Sequence, residues 1–80
     1  MSKKSELKKA IAESEKEIDE LEKKRGRSQS AVLEAMLNHT EPKKNDEEYF
    51  RTYSSLIELE RKKLQNLRDE LAALDKKDDK

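Results

Sequence analysis

Apolar positions in the second half of the chain recur at alternating steps of three and four residues. Phe50, Ile57, Leu64 and Leu71 occupy one line, and Tyr53, Leu67 and Leu74 the other, with Glu60 filling the single gap. In heptad terms the first line is a and the second is d, the seam of a helix that packs lengthwise on another helix. The start of this helix is marked. Asn45 is a good N-cap, Glu48 stands at the capping-box position, and Asp46 and Glu47 suit the positive end of the helix dipole. The pattern predicts a helix over about 46–75, followed by a charged, disordered tail at 76–80.

The first half carries the same ladder less cleanly. Ile11, Ile18, Val32 and His39 take a, while Leu7, Leu21 and Ala35 take d. The ladder also passes through Ser14, Arg25 and Ser28. Gly26 lies beside this polar stretch and lowers helix propensity by about 1 kcal/mol relative to Ala. Locally, Arg25-Gly26-Arg27-Ser28 reads as loop chemistry, with Ser28 or Ser30 capping a second helix. The competing expectation is one helix over about 5–38, stopped before Pro42 and followed by a loop at 40–45. Residues 1–4 are expected to be disordered.

A register test favours the long helix. If the chain folds back once, facing residues have a constant sum of residue numbers, and a sum of about 85 pairs every a with a d. Ile18 then meets Leu67, Leu21 meets Leu64, Val32 meets Tyr53 and Ala35 meets Phe50, while Ser14 and Ser28 meet Leu71 and Ile57. Arg25 meets Glu60, the charged seam residue of the other helix, as a register-setting polar pair whose burial favours specificity over stability. The e positions give opposite charges at Lys8/Asp75, Glu15/Arg68 and Glu22/Arg61. The g positions set Glu17 against Glu70 and Lys24 against Lys63, like facing like. This suggests that one flank closes the hairpin and the other meets a second chain. Arms of about 34 residues give a rod of about 50 Å.

The fold class expected for residues 1–80 is therefore all-α: a single antiparallel two-helix hairpin, a helical coiled coil, pairing with a second copy into a dimeric four-helix bundle. Six apolar residues near the loop fall outside the seam: Leu33, Met36 and Leu37 on the first helix, and Tyr49, Leu56 and Leu59 on the second. A two-helix rod cannot bury them, and exposed apolar surface of this kind marks an interface.

Composition narrows the function classes. Charged residues make up 48% of the chain and hydrophobic ones 31%, with one Gly, one Pro and no Cys, which excludes a β-sandwich, a disulfide scaffold and a Cys-based zinc site. No apolar run is long enough for a membrane span, and no signal-peptide stretch stands at the start, so a cytoplasmic protein is expected. The 19 basic and 19 acidic residues cancel, which removes the simplest argument for nucleic-acid binding. The most basic run, Lys23-Lys24-Arg25-Gly26-Arg27, has Glu20 and Glu22 within a turn and reads first as a solvated face. A chain this small is expected to need a partner for stability.

Catalytic chemistry is nearly absent. His39 and Asp46 fall near the loop, but no nucleophile or second base accompanies them. Glu41, Asp46, Glu47, Glu48 and His39 crowd the tip, yet Lys43 and Lys44 lie among them and no EF-hand spacing occurs. No enzyme activity, cofactor or metal is expected. The stretch Asn45-Asp46-Glu47-Glu48-Tyr49 loosely resembles the acidic hairpin tip of Gre-type transcript-cleavage factors, which act inside RNA polymerase. Lys43 and Lys44 depart from that tip, and the globular domain is missing. Small type III secretion co-chaperones also resemble short helical hairpins. No motif is specific enough to assign the chain to either family.

The functional expectation is a non-enzymatic structural or adaptor protein acting through helix–helix contacts and self-associating as a homodimer. The alternatives are a small inhibitor or co-chaperone of phage or mobile-element type that binds another protein, and a nucleic-acid-binding accessory protein using Lys23 to Arg27.

Overall fold

The computed structural model describes residues 2–78, with side chains through residue 76. Two helices of equal length, α1 (Lys3–Leu37) and α2 (Lys44–Asp78), pack against each other along their length. The molecule measures 63 × 17 × 15 Å, with a radius of gyration of 18.1 Å, whereas a compact globule of this length has about 12 Å. The chain is a rod because, among the described residues, the core is the seam between two helices.

α1 passes through Gly26 without a break. The a/d stripe continues on both sides of the glycine, and packing along it outweighs one unfavourable residue. The helix starts earlier than expected. Ser2 is extended, and its hydroxyl accepts from the Ser5 N–H at 3.1 Å, capping the first turn. Residues 2–4 are therefore ordered; Met1 lies outside the described residues.

The C-terminus of α1 closes in a Schellman motif. The His39 N–H donates to the Met36 carbonyl and the Thr40 N–H to the Ala35 carbonyl, at 3.1 and 2.9 Å. This geometry requires a left-handed residue just past the cap, and His39 supplies it with φ 57°. His39 therefore leaves the helix and is exposed; it is not the seam residue that the heptad count suggested. The Thr40 hydroxyl donates to the same Ala35 carbonyl at 3.0 Å.

α2 also starts early. The Lys43 carbonyl accepts from the Asp46 and Glu47 N–H groups at 3.0 and 3.2 Å, so Asn45 stands inside the first turn and is not the N-cap. The chain re-enters a helix at Lys44, two residues after Pro42. The helix continues to Asp78, so residues 76–78 of the expected disordered tail are helical. Residues 79 and 80 lie outside the described residues.

Among the described residues the buried apolar core is Leu7, Ile18, Leu21, Ile57 and Leu64, joined by Ser14 and Ser28. All seven fall on the a/d ladder, so the seam is the one read from the sequence. Its register is not. Among the described residues, polar contacts cross between the helices from Lys3 to Glu70, Lys4 to Asp75, Ser14 to Glu60, Glu15 to Arg68 and Glu22 to Arg61. The last two are the e-flank pairs already expected under a sum of 85 and suit either alignment, whereas the residue numbers of the other three sum to between about 73 and 79, too low for that alignment. The helices are offset by about one heptad from the expected alignment.

This offset sets Leu7 level with Leu71 and Leu21 level with Ile57. Under a sum of 85, Leu7 would lie at the far end of α2 beside Asp78; the shorter alignment buries it instead, leaving 6% of its surface exposed. Capturing one more leucine is the physical reason for the shift.

Candidate protein-interaction surface

The shift separates the two charged seam residues. No ion pair joins Arg25 and Glu60. The Glu60 carboxylate accepts a hydrogen bond from the buried Ser14 hydroxyl at 2.9 Å and lies 3.7 Å from the Lys63 ammonium. Glu60 is level with Ile18, while Arg25, half-buried, is level with Tyr53. The register-setting pair read from the sequence is therefore replaced by a Ser–Glu contact.

The flanks change as well. Two of the expected e-flank pairs form, Glu22 with Arg61 at 3.7 Å and Glu15 with Arg68 at 4.0 Å. Asp75 pairs with Lys4 rather than Lys8. On the g flank, Glu70 reaches Lys3 at 3.9 Å, and Glu17 lines a surface hollow with Glu13, Ser14, Glu60 and Lys63. The expected opposition of Glu17 and Glu70 is thus absent, although Glu17 still shares its hollow with two other carboxylates and the Lys63 ammonium. The cross-helix ion pairs involve exposed side chains, and each contributes little.

All six apolar residues outside the seam are exposed, from Leu56 at 42% to Leu37 at 80%. They do not form one patch. On α1, Met36, Leu33 and Leu37 hold positions e, b and f, neighbours on the e side of the helix. On α2, Tyr49 and Leu56 hold g, and Leu59 holds c, neighbours on the g side. The ion pairs show which flanks adjoin: e meets e at Glu22/Arg61, and g meets g at Lys3/Glu70. The two stripes thus lie on opposite flanks of the rod, both in its loop-proximal half.

Each stripe has additional apolar relief. The α1 stripe borders a groove lined by Gln29, Val32, Leu33 and Phe50, an almost wholly apolar surface. On the α2 stripe the Tyr49 and Tyr53 rings stack one turn apart, with centroids 6.1 Å apart and planes inclined by 26°. The charge run at 23–27 is not a continuous basic face, because Lys23 pairs with Asp19 at 3.2 Å and Arg25 is half-buried at a seam position. His39 forms no ion pair with Asp46, and among the described residues no group of His, Asp and Glu side chains converges as a metal site. Neither described helix is long and apolar enough to cross a membrane.

The split between flanks is the feature that sequence reasoning missed. It follows from the antiparallel sense of the hairpin, in which matching heptad letters share a flank. No protein-family model matches the chain, and no curated protein or solved structure gives a significant match.

Proposed function

We propose that this chain is a non-enzymatic structural or adaptor hairpin that works through helix–helix contacts, its loop-proximal half associating with a second copy. The observation that carries this reading is the concentration of six exposed large apolar residues in one half of a rod whose other half is charged outside its seam. The five buried apolar side chains among the described residues also make a thin core, and burying a flank against a second hairpin enlarges it.

A two-fold dimer applies the same surface of each copy. The α2 stripe suits this role best: Leu56 lies near its middle, with the stacked tyrosines on one side and Leu59 on the other. The product is a four-helix bundle with its contact in the loop-proximal half. Such a dimer leaves Leu33, Met36 and Leu37 open on the opposite flank. That second stripe supports the other reading, a small inhibitor or co-chaperone that offers α1 to a different protein.

Sedimentation equilibrium tests the first reading. The expected mass is twice the 9.4 kDa of the chain, returning to one chain in Leu56→Glu and unaffected by Leu33→Glu. A monomer with full helicity at high concentration contradicts self-association and leaves both stripes to foreign partners.

A further inference from the structure

We propose that the hairpin has a second stable register, reached by sliding α2 one heptad, about 10 Å, toward the loop end of α1. In this second register facing residue numbers sum to about 85.

The seam permits the slide. A shift of seven residues returns every a to a d, so the knobs of each helix find equivalent holes. The loop permits it too. In the resident register Lys44 is level with residue 34, and after the slide it is level with residue 41. With axes about 10 Å apart, the span from Leu37 to Lys44 changes only from about 11 to about 12 Å. The chain through residues 38–43 reaches about 24 Å when extended, so neither helix has to unwind.

The resident register leaves recognisable vacancies that the slide fills. Val32 and Phe50 are both seam residues, yet both are only half-buried and line an open apolar groove near the tip. After the slide Val32 is level with Tyr53 and Ala35 with Phe50. The seam charges are apart in the resident register, with Glu60 held by Ser14 and Lys63; the slide makes Arg25 level with Glu60. Against this, the slide gives up the Leu7/Leu71 layer, the Ser14–Glu60 hydrogen bond and the Lys3–Glu70 and Lys4–Asp75 contacts. The Glu15–Arg68 and Glu22–Arg61 pairs sum to about 83, between the two registers, and long side chains reach them from either. Each register thus has layers that the other lacks, while two ion pairs span both. The slide also carries the Tyr49–Leu56–Leu59 stripe about 10 Å past the Leu33–Met36–Leu37 stripe, which alters the spacing of the two apolar faces.

Pulsed electron–electron resonance between spin labels tests this on the full chain, which contains no native Cys. Labels go on Lys9→Cys and Thr52→Cys, both exposed sites, with the labelled protein diluted into unlabelled chain. The resident register separates these positions by about 27 Å and the second by about 37 Å. Two resolved maxima are expected. Leu7→Lys, which damages a layer that exists only in the resident register, should enrich the longer distance at least twofold. Glu60→Leu, which gains Ile18 in one register and faces Arg25 in the other, should deplete it. A single maximum unmoved by either substitution, or one broad distribution without resolved maxima, overturns the proposal. If Leu7→Lys loses its helical circular dichroism, the native distribution and its response to Glu60→Leu decide the matter.

Discussion

Ser14 and Glu60 meet across the helices, hydroxyl to carboxylate at 2.9 Å, at a point where the seam would otherwise hold only apolar contacts. Ser14 is 2% exposed, so its hydroxyl needs a partner, and Glu60 reaches it from about one turn away. The carboxylate in turn keeps contact with Lys63 at the rim.

Removing one side of this contact costs stability, while replacing both removes the polar requirement altogether. Ser14→Ala should destabilise the hairpin by about 1 kcal/mol. The double variant Ser14→Ala/Glu60→Leu should be at least as stable as the native chain, because the leucine is level with Ile18. Urea unfolding of the two single variants and the double variant measures this. A double variant less stable than Ser14→Ala alone contradicts the assigned layer.

Gly26 sits in the interior of α1, and a Cβ built on it meets nothing within 4 Å. Gly26→Ala should therefore stabilise the protein by about 0.5–1 kcal/mol through backbone propensity alone. Thermal melts followed by circular dichroism check the sign; a loss of stability would mean that α1 bends at this residue in solution.

His39 occupies the left-handed position of the α1 cap with φ 57°, where a side chain is strained and glycine is not. His39→Gly should raise stability by about 0.5–1 kcal/mol, and His39→Val should lower it, since a β-branched residue fits this region worst. The same melts give both values, and equal effects of Gly and Val would contradict the cap geometry.

Ile57 is 1% exposed, the most deeply buried side chain described, whereas Leu67 is half-buried. Ile57→Ala should cost about 2–5 kcal/mol and Leu67→Ala roughly half as much. Helicity after Ile57→Ala is expected to fall at ambient temperature, because a core this thin leaves a small reserve.

Helix identity and the a/d seam were legible from the spacing of a dozen residues, and the exposure of Leu33, Met36, Leu37, Tyr49, Leu56 and Leu59 followed from the same ladder. The register was not, for a physical reason: alignments seven residues apart preserve the same a-to-d pattern. Glu15/Arg68 and Glu22/Arg61 could not decide between them, because their ion pairs suit both. Leu7 decides it, since only one alignment buries this residue deeply, and the end of α2 that settles the comparison carries no sharp stop signal. The early helix starts are not legible because Ser2 stands in a charged run with the composition of a tail and Asn45 has the chemistry of a cap, although Ser2 caps α1 and the Lys43 carbonyl opens α2. Opposite flanks for the two apolar stripes were implicit in the heptad letters once the helices were taken as antiparallel.

The most direct test of how the two halves zip together is a methyl-resolved nuclear Overhauser experiment on Leu21, Ile57 and Leu64. The resident register predicts a strong cross-peak between Leu21 and Ile57, with any Leu21–Leu64 cross-peak weaker. A Leu21–Leu64 cross-peak in the absence of one between Leu21 and Ile57 would contradict it.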